Sequence, residues 1–175
     1  MKYFDLYQLP VSFFVDEETV KKKFLELSRR YHPDFFVNET EEKQQEMLEL
    51  STLNTKAFQT LSDFDKRMKY ILGEKGLISE GERYELPAYF LMDMMAINEG
   101  LMELKMDPEE VKVKAYKTQV DALLQDLYGE IKSLTQEGGI EKMGEEDWKK
   151  IKDYYYKKKY LLRIQHSLNT FTGQP

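Results

Sequence analysis

The chain has 175 residues, 41% of them hydrophobic and 33% charged, which supplies enough apolar material for one folded domain or two small ones. Its net charge of −6 argues against a general nucleic-acid binder, because neutralising phosphates requires an excess of lysine and arginine. There is no cysteine, and the two histidines stand in no ligand-like pattern, so we expect neither a metal nor a cofactor.

The composition also predicts the fold class. Leucine, methionine, lysine and glutamate outnumber the β-branched residues, which favours an all-α protein. No apolar run approaches the roughly 20 residues that span a bilayer. The first residues lack the apolar core of a signal peptide, so we expect a soluble cytoplasmic protein with no membrane contact.

The first part of the chain predicts two helices followed by a loop. A short helix covers about Tyr3 to Leu9 and ends at Pro10. A second helix begins at Asp16 and ends at His32-Pro33-Asp34, because the residue before a proline is pushed out of the helical region. Residues 35–37 then form a loop. The apolar side chains of the second helix recur at helical spacing: Val20, Phe24, Leu27 and Tyr31.

Two further helices complete the first half. Asn38 with Glu41 three residues later resembles a capping box, so a third helix begins there and ends near Ser62. It runs antiparallel to the second helix, since a short loop joins the two. A fourth helix covers about Asp63 to Leu72, where glycines stop it.

A polar stretch between residues 73 and 87 contains three glycines and separates two strongly helical halves. We therefore predict one domain over residues 1–75, a linker over residues 76–86, and a second domain over residues 87–175.

The second half predicts three helices with short connections. Pro87 suits a first-turn position and opens a helix that ends near Lys105. Asp107-Pro108 is a cap followed by a first-turn proline, and starts a helix that ends near Gln136. Gly138-Gly139 marks a turn, and the last helix covers about Glu145 to Phe171. Three such helices indicate a small antiparallel bundle.

The first helix of this bundle has two apolar stripes when wound at about 100° per residue. The stripe that suits the bundle core consists of Phe90, Met94, Ile97, Leu101 and Leu104. The second stripe consists of Leu91, Met95 and Met102, with Met92 and Glu99 at its edge. Either it packs against the first domain, or it is an exposed patch for another protein, a role that suits the adaptable methionine side chain.

The His32-Pro33-Asp34 loop resembles the signature of a J domain. By itself such a tripeptide is more often a helix-terminating turn. The resemblance rests on the basic helix before it, on the ending Ala57-Phe58-Gln59-Thr60-Leu61-Ser62-Asp63, and on Asp65-Lys66-Arg67. It implies that the loop docks onto a DnaK-type ATPase chaperone and stimulates ATP hydrolysis. The contact residues it implies are His32, Pro33, Asp34, Lys22, Lys23, Arg29 and Arg30, although each cation alone is equally a solvated side chain.

The run Phe90-Leu91-Met92-Asp93 with Glu99 resembles the client-binding helix of HscB-type co-chaperones. The resemblance spans nearly the whole chain and implies that the second domain binds an IscU-type iron-sulfur cluster scaffold. The matching contact positions are Leu91, Met92, Met95, Glu99 and Tyr160. Ala96 replaces an acidic residue of the family pattern, and Tyr160 is equally explained by packing at the edge of the last helix.

The resemblance therefore implies a non-enzymatic co-chaperone that delivers the scaffold to a DnaK/HscA-type chaperone in iron-sulfur cluster assembly. No GxxxxGK[ST] loop is present, so we expect no ATP binding by the chain itself. Two alternatives are a J-domain co-chaperone for a different client and a non-catalytic helical adaptor that dimerises through the methionine stripe. We expect a monomer.

Overall fold

The structure is a computed structural model that describes residues 1–136 and 140–171. Within those residues it contains helices, turns and irregular segments and no strand, which confirms the predicted all-α class. The seven α-helices are α1 (Lys2–Tyr7), α2 (Glu17–Arg30), α3 (Glu41–Leu61), α4 (Phe64–Glu74), α5 (Ala88–Met106), α6 (Glu110–Gln136) and α7 (Glu145–Thr170). Short 3-10 turns cover Pro33–Phe36 and Ile140–Lys142.

The chain divides into two compact units. The first comprises Met1–Ser79 with the described residues of Thr135–Lys142, and the second comprises Glu80–Leu134 with those of Met143–Pro175. The predicted domain limits at residues 75 and 87 remain a prediction.

Side-chain caps set several helix starts in the first unit. The Asp16 carboxylate accepts a hydrogen bond from the Thr19 amide at 2.9 Å, so the predicted start of α2 is confirmed. The Asp63 carboxylate accepts from the Lys66 amide at the same distance and caps α4. Each cap satisfies a backbone donor that the helix cannot satisfy internally.

The start of α3 differs from the prediction. Thr40 is the cap, and its hydroxyl accepts from the Lys43 amide at 3.3 Å, so the predicted capping box of Asn38 and Glu41 is wrong. Threonine is also a favourable cap residue, and the chain enters the helix at Thr40, two residues after Asn38. The predicted loop of residues 35–37 begins as the 3-10 turn of Pro33–Phe36.

Three other predicted ends shift. Helix α4 continues through Gly73 to Glu74, and the left-handed conformation expected of a glycine terminator occurs at Gly76, with φ of 67°. Pro87 and Pro108 each lie before the first helical residue instead of inside the first turn. The predicted turn at Gly138-Gly139 lies outside the described residues.

The α2–α3 hairpin of the first unit is held by a buried amide. The Tyr7 hydroxyl donates to Asn54 Oδ1 at 3.0 Å, and Asn54 Nδ2 donates to the Phe24 carbonyl and to Ser28 Oγ, both at 3.0 Å. Burial raises the pKa of Tyr7, so this hydroxyl stays a donor. The rings of Phe24 and Phe58 stack at 4.3 Å beside the network, which fixes the two helices against each other.

In the second unit, α5 packs against α7, and α6 supplies apolar residues at seven-residue spacing. The predicted core stripe of α5 is buried at all five positions, which confirms that part of the helical pattern. Gly100 lies directly against the ring and hydroxyl of Tyr116 in α6. A larger residue at position 100 would occupy the space of that ring.

The segment before α5 contacts α7. Glu82 accepts hydrogen bonds from Lys152 Nζ at 2.6 Å and from the Tyr156 hydroxyl at 3.0 Å. Tyr84 donates its hydroxyl to Asp153 at 3.1 Å, and its ring stacks on Tyr156 with centroids 4.3 Å apart. The later part of the predicted linker is therefore fastened to the second unit, and it fixes where α5 begins.

Candidate functional site

The His32-Pro33-Asp34 loop is shaped by a local hydrogen bond. Helix α2 ends at Arg30, and the 3-10 turn begins at once with Pro33. The Asp34 amide donates to His32 Nδ1 at 3.3 Å, so the imidazole caps the turn. The proline fixes its own φ, and together the two features present Asp34 on a defined turn.

The same geometry leaves the Asp34 carboxylate available. His32 Nδ1 also lies 3.7 Å from an Asp34 carboxylate oxygen. A nitrogen that accepts the amide hydrogen carries no proton of its own, so it cannot donate to that oxygen at the same time. The Asp34 side chain is 82% exposed. The loop therefore presents a free carboxylate to the solvent.

The predicted cations lie on or near this loop to different degrees. Lys22, Arg29 and Arg30 are exposed, and Lys23 is half-buried. A shallow groove at the loop includes Arg29 together with His32 and Asp34. Arg30 lies over the ring of Tyr31 at 5.7 Å. The structure thus brings Arg29 to the loop, and the roles of all these side chains remain predictions.

Two apolar residues of this groove were not predicted. Phe35 is 71% exposed, and its ring lies 5.7 Å from that of His32; Leu25 of α2 is exposed on the groove wall. Leu25 lies about 140° from Val20 around the helix, off the buried stripe, so the helical pattern could have predicted its exposure. Phe35 sits in a non-periodic segment, where no pattern predicts exposure.

The second apolar stripe of α5 is exposed. Leu91, Met92 and Met95 form a continuous surface with Glu99 beside it; Met92 is 69% and Met95 57% exposed. The stripe continues to Met102 and Met106, which are also exposed. We call this surface, from Leu91 to Met106, the α5 face.

Tyr160 lies at the edge of the α5 face. Its side chain is half-buried, and its ring meets that of Phe90 edge to face at 5.7 Å. Its hydroxyl accepts a hydrogen bond from Asn98 Nδ2 at 2.7 Å. Tyr160 therefore packs at the helix edge while part of it remains accessible to a partner.

A buried lysine supports the start of α5. Lys157 of α7 is 3% exposed; its ammonium pairs with Asp153 at 2.5 Å and donates to the Tyr89 hydroxyl at 2.7 Å. Burial opposes the charge, but the bonds to Asp153 and Tyr89 outweigh it and raise the pKa of Lys157. This contact ties Tyr89, next to the exposed residues of α5, to the neighbouring helix.

Within the described residues, no cluster of three or more histidine and acidic side chains is arranged to hold a metal ion. None of the described helices combines the length and the hydropathy that a membrane span needs.

The fold and the loop together define the class of protein. It is an all-helical chain in which a J-type hairpin is followed by a second helical unit. The DnaJ domain family matches residues 2–70, and the HSCB C-terminal oligomerisation domain family matches residues 86–169. Together the two matches cover most of the chain in the order in which the two units occur. The chain belongs to the HscB family of J-domain co-chaperones, as the resemblance indicated.

Relatives and solved structures agree with this assignment. The chain is 28% identical over 171 residues to a co-chaperone protein HscB homolog of Photobacterium profundum, covering 96% of this chain and 95% of that protein. It is 26% identical over 177 residues to a homolog from Vibrio cholerae, covering 99% and 98%.

Two solved structures share the fold. The crystal structure of human co-chaperone protein HscB is 27% identical, with a TM-score of 0.77 over 97% of this chain and 81% of that one. Chaperone HscB from Vibrio cholerae gives a TM-score of 0.72 at 23% identity, covering 99% and 98%.

Proposed function

We propose that this co-chaperone holds an IscU-type iron-sulfur cluster assembly scaffold and delivers it to a DnaK/HscA-type ATPase chaperone. It stimulates ATP hydrolysis by that chaperone, promotes cluster transfer, and performs no covalent chemistry itself. The observation that carries the proposal is the presence in one chain of two unlike exposed surfaces. One is the free carboxylate loop of the first unit, and the other is the α5 face of the second.

The loop is suited to the chaperone. Asp34 pairs with a cationic group of the ATPase, while His32 and Pro33 hold the turn that presents its carboxylate. Lys22, Lys23, Arg29 and Arg30 complement an acidic chaperone surface and speed the encounter of the two proteins. Salt therefore weakens this contact. Leu25 and Phe35 add an apolar contact beside the carboxylate.

The α5 face is suited to an apolar protein client. Leu91, Met92 and Met95 bury apolar area on binding, and methionine adapts to the shape of its partner. Glu99 and Tyr160 contribute polar contacts at the edges. The iron-sulfur cluster belongs to the client, as cargo, and needs no ligand from this chain.

ATP turnover by the chaperone, with this protein and with or without the scaffold, tests the proposal. Asp34→Asn should lower stimulation by at least about tenfold while leaving scaffold affinity unchanged, because it removes a charge and keeps the shape of the side chain. Glu39→Gln, an exposed acid near the loop, is the matched control and should stimulate normally. Loss of scaffold binding by Asp34→Asn would instead show that the loop is structural.

The converse variant tests the second surface. Leu91→Ala with Met92→Ala should weaken scaffold binding by about tenfold or more in titration calorimetry, since both side chains lose buried contacts, and leave scaffold-free ATPase stimulation intact. Val111→Ala, an exposed apolar residue of α6, is the control. Unchanged affinity for the scaffold would reject this face.

Ala96 favours one alternative, a J-domain co-chaperone with a different client, because the exposed position carries no acid. That function would give normal stimulation by the loop and no binding of the scaffold. A helical adaptor that dimerises through the α5 face would neither stimulate the chaperone nor bind the scaffold. Sedimentation would show the dimer.

A further inference from the structure

A groove between α5 and α7 opens beside the α5 face. Its volume is about 540 Å³, enough for one or two partner side chains. Leu101 and Ile164 form a buried apolar floor, and Met102 of the α5 face forms an exposed rim. The groove is therefore a continuation of the apolar surface, and Tyr160 is the residue of its lining that the resemblance also implied.

Two cations stand at this groove. Lys105 of α5 and Arg163 of α7 are both exposed lining residues. Among the described residues neither forms an ion pair, although lysines elsewhere in the unit do so at 2.5–2.6 Å. The Arg163 guanidinium lies 5.4 Å from the centre of the Tyr160 ring, which holds it at the groove. The local charge is thus opposite in sign to the net charge of the chain.

The Tyr160 hydroxyl adds a donor to the same groove. Asn98 Nδ2 donates to its oxygen at 2.7 Å, so the hydroxyl hydrogen points away from that bond. No aspartate or glutamate lines the groove, within the described residues. Two cations and a hydroxyl donor above an apolar floor form a site for a carboxylate attached to an apolar surface.

The two edges of the α5 face differ in charge. At about 100° per residue, Lys105 lies about 60° to one side of Met102, and Glu99 lies about 60° to the other. The exposed methionines run between them. A partner with an acidic group at the groove edge and a basic group at the opposite edge would complement this face.

We propose that the groove binds an acidic residue of the client that lies next to an apolar one, and that Lys105 and Arg163 select clients by this pair. The occupant is a segment of the protein client, with its apolar side chain on Leu101 and Ile164 and its carboxylate between the two cations. This inference rests on the proposed function, in which the α5 face holds the scaffold.

Scaffold affinity of charge-reversed variants tests the proposal. Arg163→Glu and Lys105→Glu should each lower the affinity of the full chain for the purified scaffold by about tenfold at low salt, and less at high salt. Arg163→Lys should stay within about threefold of the unchanged chain, since it keeps the charge. Lys150→Glu is the matched control, because this exposed cation lies on the far side of α7.

A second measurement locates the contact without relying on charge. The chain has no cysteine, so Met102→Cys introduces one thiol for an environment-sensitive fluorophore. Scaffold binding should blue-shift this label, and should leave a label at Val111→Cys in α6 unchanged. Met102 is on the groove rim, so the shift reports burial there.

These measurements distinguish failure of the groove from failure of the proposed function. Should the reversed variants bind like the unchanged chain while Leu91→Ala with Met92→Ala loses affinity, the groove is rejected and the proposed function stands. Should the unchanged chain fail to bind the scaffold, both are rejected. Concentration-dependent dimers that Arg163→Glu dissolves would also overturn the client assignment, because the occupant would then be a second copy.

Discussion

The two candidate surfaces are built in different ways. The His32-Pro33-Asp34 loop is set by bonds between residues two apart, and its shape follows from a proline and an imidazole cap. The α5 face depends on contacts from distant parts of the chain, with Asn98 bonded to Tyr160 and Lys157 bonded to Tyr89. The loop therefore tolerates changes in its surroundings better than the α5 face does.

The two surfaces suit different kinds of partner. A short motif carries one charge to one position, which suits a contact with a single cationic group. A face assembled from two helices combines apolar area with charges on separate elements, and such a surface can be tuned for one client. Substitutions that act on one unit alone test whether the loop and the α5 face are built independently.

The largest effect is expected from Asn54→Leu. The change removes the side-chain amide that the Tyr7 hydroxyl and Ser28 share, and leaves the hydroxyl only the backbone carbonyl of residue 54, at 3.2 Å. It should cost about 2–4 kcal/mol of stability. Hydrogen exchange should speed up in α2 and α3 but not in α5, as mass spectrometry of peptic peptides would show. Thr55→Ala, an exposed neighbour, should change stability by less than about 0.5 kcal/mol. Equal loss of protection in both units would contradict their separate construction.

A smaller effect is expected from Gly100→Ala in the second unit. The added methyl group overlaps the Tyr116 ring, so the variant should lose about 1–3 kcal/mol in urea unfolding. Gly129→Ala is the matched control, because this helical glycine has open space around it and should gain about 0.5–1 kcal/mol.

Tyr116→Ala tests the cause of that loss. In the Gly100→Ala background it removes the overlap, so the two changes together should cost less than the sum of their separate costs. Strict additivity would show that Gly100 is required for some other reason. The His32-Pro33-Asp34 loop should be unaffected throughout.

Local signals in the sequence predicted local structure. The Asp16 cap, the turn at Pro33 and the buried stripe of α5 were all readable, because each depends on neighbours within a few residues. The two apolar stripes of α5 likewise followed from its periodicity. Thr40 was missed because Asn38 is an equally good cap by type.

The parts that the sequence did not predict depend on tertiary neighbours. Lys157 stands in a run of three lysines, yet the second unit buries it beside Asp153. The groove joins Lys105 and Arg163, which are far apart in sequence, and no periodicity relates residues of two helices. Glu82 lies in a glycine-containing polar stretch, where its contact with α7 has no sequence signature.

The smallest effect is expected from the segment that fastens the start of α5. Burial, followed by the nearby Asp153 carboxylate, raises the pKa of Tyr84 from 10.0 to about 12. Burial and the bond to Glu82 do the same for Tyr156. A raised pKa means that the folded state keeps the proton more tightly. The stability that the two protonated hydroxyls contribute is therefore complete below pH 10 and is lost as the pH rises towards about 12.

Tyr84→Phe should accordingly reduce the loss of stability between pH 9 and pH 11, roughly, because one group that releases its proton more readily on unfolding is gone. The difference should stay below about 1 kcal/mol, since water screens a half-exposed hydroxyl. Urea unfolding at both pH values measures it, with Tyr31→Phe of the first unit as the matched control. A pH dependence identical to that of the unchanged chain would mean that neither burial nor Asp153 makes the folded state hold the Tyr84 proton more tightly.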